Sequence, residues 1–169
     1  PCGVIGTLGS GRIERLESTV NTTPDAVQVQ ALLQQWLSAG AQWAAMEVSS
    51  HGLVQQRVAA LHFAAAVFTN LSPEHLDYHQ TMDAYGEAKA SLFKWDDLPL
   101  AVINVDDQFG LRLAGRVAKE NPECKLLRYS ASGAEAEFWL SDIKLSHSGA
   151  KAKLHCPEGE FTLSSSLLG

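Results

Sequence analysis

The stretch Trp43-Ala44-Ala45-Met46-Glu47-Val48-Ser49-Ser50-His51-Gly52-Leu53 decides the fold class. Residues 43–48 are a mostly apolar run of strand length, as expected of a parallel strand buried on both faces. Polar residues then resume, and a helical stretch follows at 53–58. The runs 64–69 and 100–105 repeat that order, with helices read at 81–93 and 109–118. Upstream, 4–7 reads as a short strand, Gly9-Ser10-Gly11 as a turn and 17–23 as a polar loop. Thr23-Pro24-Asp25 reads as a helix start: Thr23 caps, Pro24 takes the first helical position and Asp25 meets the dipole. Val29, Leu32, Leu33, Trp36 and Leu37 then form one apolar stripe, and Gly40 ends it. Strand and helix alternate over residues 1–132, which predicts a doubly wound, mostly parallel α/β sheet. Residues 133–169 change style. Ile143 and Leu145, Ala152 and Leu154, and Phe161 and Leu163 alternate with polar residues around Ser148-Gly149 and Pro157-Glu158-Gly159. That pattern predicts a small antiparallel β-meander.

The chain has 169 residues, 46% hydrophobic and 19% charged, which excludes disorder and fits one domain. No apolar run approaches the roughly 20 residues that span a bilayer, so no membrane partner is expected. The net charge of −6 argues against a broad grip on nucleic acid. Cys2, Cys124 and Cys156 are scattered and odd in number, which implies neither a disulfide framework nor a zinc ribbon and suits the cytoplasm. The start at Pro1 and the apolar ending at Leu167-Leu168-Gly169 read as cut ends of a longer protein.

Ligands of open α/β sheets bind beyond the carboxyl ends of the strands. Three polar clusters stand there: Glu47 to Gly52, Thr69 to His79, and Asn104-Val105-Asp106-Asp107. Glu47, ending an apolar strand, reads as a buried carboxylate that binds a metal or pairs at the sheet rim. Magnesium, which takes few carboxylates plus water and phosphate, suits a single Glu. His75, Asp77 and His79 form an H-x-D-x-H string. It reads as a hydrolytic metal site, or as a helix N-terminus capped by Ser72 with Glu74 at the dipole. Lys89 falls among Met82, Tyr85, Leu92 and Phe93 on one helix face. A lysine there either snorkels or loses its charge on burial, becoming an amine able to capture carbon dioxide as a carbamate. Asn21-Thr22-Thr23-Pro24 offers a helix N-terminus to an anionic or carbohydrate ligand, or is a plain cap. Arg57, near Gln55, is placed to grip a carboxylate or phosphate, or is a surface arginine. No G-x-x-x-x-G-K-[ST] phosphate loop occurs, and residues 6–11 are glycine-rich without lysine.

The ordered set resembles the central ATP-binding domain of the Mur ligases. The strings are Asn-Thr-Thr-Pro-Asp at 21–25, Met-Glu-Val-Ser-Ser-His-Gly-Leu at 46–53 and Val-Phe-Thr-Asn-Leu-Ser at 67–72. His-Leu-Asp-Tyr-His at 75–79, Tyr-x-x-Ala-Lys at 85–89 and Ile-Asn-x-Asp-Asp at 103–107 complete it. The resemblance runs from about residue 3 to the end. Residues 73–74 depart from it, with Pro-Glu where the family often has Arg-Asp.

The resemblance implies a cytoplasmic, ATP-dependent amide ligase of peptidoglycan precursor synthesis. It adds meso-diaminopimelate or L-lysine to UDP-MurNAc-L-Ala-D-Glu through an acyl phosphate. Glu47, His75 and Lys89 would be catalytic: Glu47 and His75 ligating one Mg2+, a carbamylated Lys89 positioning a second. Asn21, Thr22, Thr23, Ser49, Gln55 and Arg57 would bind the nucleotide-sugar dipeptide. Asn104 and Asp106 would lie toward the base and ribose of ATP. The resemblance further implies a monomer whose uridine-binding and amino-acid-binding domains flank this one, so that residues 1–169 alone are inactive. Three other readings stay open: a folylpolyglutamate synthetase-like ligase, a hydrolase using His75, Asp77 and His79, and a non-catalytic binding module.

Overall fold

The computed structural model describes residues 1–166, so the apolar ending at Leu167-Leu168-Gly169 lies outside the described residues. The chain divides into two compact units, one of residues 1–62 and 75–92, the other of residues 63–74 and the chain from Phe93 onward.

In the first unit, β1 (Cys2–Gly6), β2 (Gly9–Arg12) and β3 (Arg15–Glu17) form an antiparallel ribbon. Helix α1 (Ala26–Ser38) returns the chain to β4 (Trp43–Met46), parallel to β1, in the order β3-β2-β1-β4. Ile5 pairs with Met46, and the Glu47 N–H still donates to the Ile5 carbonyl at 2.8 Å. Thr7 and Glu47 therefore leave the sheet together. Trp36 packs α1 onto β1: a Cβ at Gly3 would fall 2.0 Å from its ring.

Several local expectations are corrected here. Asp25, not Thr23, caps α1, its carboxylate accepting from the Val27 and Gln28 N–H groups at 3.0 Å. Thr23 is engaged elsewhere. Residues 9–11 are strand rather than turn, because Gly9 (φ 134°) and Gly11 (φ 142°) pair in a backbone region that side chains rarely enter. Strand β4 is not buried on both faces: it is the edge of its sheet, and Trp43 is 69% exposed. The helix read at 53–58 is α2 (Ser50–Val54), capped by Ser49, whose hydroxyl accepts from the Gly52 N–H at 3.1 Å. Leu76–His79 is one helical turn, α3, with His75 rather than Ser72 at its N-cap position. The helix read at 81–93 is α4 (Met82–Ala90), capped by Thr81, followed by a 3-10 turn (Ser91–Lys94). Helix α4 packs against α2 and α3.

The second unit is a six-stranded sheet: β5 (Ala66–Phe68), β6 (Leu100–Asn104), β7 (Lys125–Ser130), β8 (Phe138–Ser146), β9 (Gly149–Cys156) and β10 (Gly159–Ser165). Its order is β10-β9-β8-β7-β6-β5, with β5 to β8 parallel and β8 to β10 antiparallel. The fold is thus mixed α/β with the parallel run and the meander expected. Helix α5 (Gln108–Glu120) buries Phe109, Leu113, Ala114 and Val117. Among the described residues no helix is long and apolar enough to cross a membrane.

Gly110 is required where α5 leaves β6. A Cβ there would fall 2.0 Å from the Asn104 carbonyl oxygen, which is backbone held in the sheet. Gly110→Ala is expected to cost about 2 kcal/mol or more, in the range of overpacked cores. The chemical-denaturation midpoint reads this, and an unchanged midpoint would show that α5 can shift away.

Candidate active site

Within the first unit the site begins with Thr23. Its side chain is fully buried, donating to the Glu47 carbonyl and accepting from the Ser49 N–H, both at 2.9 Å. One hydroxyl thereby joins the Asn-Thr-Thr-Pro loop to the Glu-Val-Ser-Ser loop. Gly52 lets α2 close on this peg, since a Cβ there would meet the Thr23 side chain at 3.0 Å.

Arg57 is committed to the same loop. Its Nη1 donates to the Thr23 carbonyl at 2.6 Å, while Nε and Nη2 donate to Gln55 Oε1 at 3.0 and 2.6 Å. Gln55 Nε2 lies 3.5 Å from the Tyr78 hydroxyl. Thr23, Ser49, Gln55 and Arg57 are therefore one hydrogen-bonded assembly, with Asn21 exposed beside it.

Glu47 corrects its sequence reading: it is exposed. Oε2 accepts from the Thr7 N–H at 3.0 Å and from the Thr7 hydroxyl at 2.7 Å, and Thr7 Oγ1 lies 3.0 Å from Thr22 Oγ1. The cause is the parallel register, which brings Thr7 to the carboxylate. Gly6 leaves the room: a Cβ there would sit 2.9 Å from the carboxyl carbon. Thr7 was missed by sequence reasoning, although a polar residue at the end of the neighbouring parallel strand was its signal.

The third element is an aromatic cluster. Exposed His75 has left-handed backbone (φ 55°, ψ 27°) and lies edge-on to Tyr85, centroids 5.9 Å apart. The His51 ring is 5.0 Å from His75 and 4.2 Å from Tyr78. Lys89 Nζ lies 5.2 Å from the centroid of the same Tyr85 ring. Lys89 is half-buried on α4. His79 is buried, with Nε2 2.9 Å from the Ser50 hydroxyl. Burial pushes its imidazole below 6.5, and His51 and His75 push the same way.

These positions take the donor set away from the hydrolase reading. His79 turns inward to Ser50 while His75, at the N-cap position in left-handed backbone, and Asp77, two residues from each histidine and so off their face, are exposed. Among the described residues no group of three or more His, Cys, Asp or Glu is arranged to hold a metal. One carboxylate and one imidazole, Glu47 and His75, are a donor set that would suit a magnesium ion completed by phosphate and water. Thr7 holds Glu47 through Oε2, and both side chains face solvent.

In the second unit, Asn104 ends β6 and donates to the Thr69 carbonyl at 2.8 Å, while its Oδ1 accepts from the Asp106 N–H at 2.9 Å. Asp107 caps α5 through Gly110 and accepts from the Leu71 N–H. Asp106 is more engaged than its sequence reading implies. It accepts from the Ser130 and Ser132 hydroxyls and from the Ala131 and Ser132 N–H groups. Burial pushes its carboxyl up, but these hydrogen bonds outweigh it and hold the group below 3.8.

The folded chain thus releases the Asp106 proton more readily than the unfolded one. The stabilisation is full above pH 3.8 and is lost as pH falls through the lower folded value. Asp106→Asn should flatten the acid limb of the stability curve, seen by urea denaturation at pH 5 and pH 3. Parallel curves for variant and wild type would contradict the clamp.

Residues 2–169 match the family model described as Mur ligase middle domain. A curated relative from Ectopseudomonas mendocina (strain ymp), a UDP-N-acetylmuramoyl-L-alanyl-D-glutamate–2,6-diaminopimelate ligase, is 52% identical over 168 residues, covering 99% of this chain and 34% of its own length. This chain therefore spans about a third of the curated relatives it matches. A solved structure of an enzyme with that name superimposes with a TM-score of 0.89 at 40% identity, over 99% of this chain and 34% of its own. The apo form of L. casei FPGS shares the fold at a TM-score of 0.57 and 16% identity, over 99% of this chain and 47% of its own.

Proposed function

We propose, from the premise that this chain belongs to the Mur ligase family as its middle domain, that the full-length protein is an ATP-dependent UDP-MurNAc-L-Ala-D-Glu–meso-diaminopimelate ligase. The observation that carries the reading is the meeting of His75 and Lys89 on the Tyr85 ring. Similarity at 52% identity to a diaminopimelate ligase supports that amine over L-lysine. The folylpolyglutamate synthetase reading has only a shared fold behind it.

In this reading ATP transfers its γ-phosphoryl group to the free carboxylate of UDP-MurNAc-L-Ala-D-Glu. The amine attacks the acyl carbon, phosphate leaves, and the amine proton passes to solvent. Asn21, Thr22, Ser49 and the Gln55–Arg57 pair line the sugar-dipeptide side, with Thr23 as the peg between their loops. Asn104 orients the base, and Asp106 shapes the loop at 130–132 beside it. Glu47 and His75 would hold one Mg2+, which when bound supplies positive charge to the phosphates. Lys89 would capture carbon dioxide: the neutral amine adds to its carbon and loses one proton, leaving a carbamate anion for a second Mg2+. In this reading the protein works as a monomer in the cytoplasm.

Mass spectrometry of the reaction tests the proposal. Full-length protein with ATP, magnesium, the UDP-sugar dipeptide and meso-diaminopimelate should yield a product heavier by one diaminopimelyl residue. An unchanged sugar nucleotide would overturn the reading.

A further inference from the structure

We infer that His79 is a positioning residue: bound to Ser50 and stacked on Tyr85, it fixes the turn and the ring against which His75 and Lys89 are set. The inference rests on the ligase reading above.

Helix α3 is a single turn, too short to be stable on its own. Non-glycine residues with positive φ bound it, His75 at 55° and Gln80 at 67°. Backbone of this kind costs of the order of 1–3 kcal/mol per residue and persists only where its surroundings over-determine it. No side chain caps the turn at His75. Of residues 72–80, His79 alone is buried.

The contacts of His79 run in three directions. Its backbone N–H donates to the His75 carbonyl at 2.9 Å, closing the turn. Its Nε2 meets Ser50 Oγ at 2.9 Å, at the start of the helix that follows Glu47-Val48-Ser49. Its ring stacks on Tyr85, centroids 5.1 Å apart and planes 26° from parallel. One imidazole therefore ties the turn that presents His75 to α2 and to the helix that carries Lys89. Tyr85 passes the restraint on, with the His75 ring at its edge and the Lys89 ammonium beside it.

A histidine that only filled the core would share the first contacts, and its loss would lower stability alone. A positioning role predicts more. Without His79 the Tyr85 ring loses its stacking partner and the His75 turn loses its anchor. Lys89 and His75 then sample several placements even while the domain stays folded.

The test uses full-length protein as wild type, Ser50→Ala, His79→Ala and His79→Gln. Carbon-13 NMR with labelled bicarbonate counts the Lys89 carbamate without nucleotide or magnesium. Steady-state kinetics below the melting temperature give kcat and KM for ATP. Ser50→Ala and His79→Ala should lose most of the carbamate signal and drop kcat about tenfold, the scale of losing an outer-shell partner, with KM for ATP unchanged. His79→Gln, whose amide can reach Ser50, should recover much of both. If His79→Ala does not fold, Ser50→Ala decides alone, because it keeps the stack and removes only the hydrogen bond. Wild-type kcat and carbamate in Ser50→Ala, with only a lower Tm, would overturn the inference. A wild type with neither carbamate nor amine-dependent ADP release would overturn the ligase reading itself, and that result needs no variant to be seen.

Discussion

Replacing Lys89 with alanine in the full-length protein is expected to lower kcat by about 10²–10³-fold, the scale of losing one preorganised electrostatic group. Lys89 is half-buried on α4 with its Nζ 5.2 Å from the Tyr85 centroid, so alanine removes the charged end and leaves the helix backbone intact. Alanine is also the best helix former, so helix propensity does not oppose the change. The fold should therefore survive, and circular dichroism should not move. Short carboxylates such as formate or acetate should restore part of the rate, since they replace the carbamate anion rather than the ammonium. Lys89→Arg, a permanent cation, should be as slow as alanine and gain nothing from acetate. A Lys89→Ala enzyme at wild-type rate would return this residue to a snorkelling surface role.

Glu47→Gln should lower kcat by about 10²-fold or more and raise the magnesium concentration needed for half-maximal rate. Glutamine matches glutamate in shape and can still accept from the Thr7 N–H and hydroxyl. What it lacks is the negative charge. Because Glu47 is exposed and pairs with no cation among the described ion pairs, its charge has no structural partner to strand. Stability should stay within about 0.5 kcal/mol, as for an ordinary surface substitution. Thr7→Val, which removes only the hydroxyl, should give a smaller rate loss in the same direction. Magnesium dependence and rate both unchanged in Glu47→Gln would remove the carboxylate from the chemistry.

The stripes on α1 and α5 are legible because such a burial pattern is local to its own element, although Leu37, read on the α1 stripe, is 65% exposed. Val29 and Trp36 on α1, and Phe109, Leu113 and Val117 on α5, face their sheets as their spacing says. Capping read less well, because a hydroxyl or carboxylate near a helix start has several possible partners. Thr23 looked like the cap, yet its hydroxyl is used by Glu47 and Ser49, far along the chain, and Asp25 takes the end instead. The same limit hid Thr7. Nothing beside Gly6-Thr7-Leu8 points to Glu47 until β1 and β4 are paired.

Glu47 read as buried because Met46 and the alanines before it resemble a central strand. The sheet makes β4 an edge, so the same residues stand exposed. The H-x-D-x-H string was legible as chemistry but not as geometry. His75 stands before the turn in left-handed backbone and faces solvent, whereas His79 ends the turn and faces Ser50. Asp106 was visible as a polar residue after a strand, but the loop at 130–132 that engages it lies on a different strand.

ADP release by the full-length protein tests the central claim most directly. It is followed with ATP, magnesium and UDP-MurNAc-L-Ala-D-Glu, first without amine, then with meso-diaminopimelate, then with L-lysine. The account predicts slow release without amine and a large acceleration by meso-diaminopimelate alone. Release that ignores both amines, from protein that is folded and binds ATP, would contradict it.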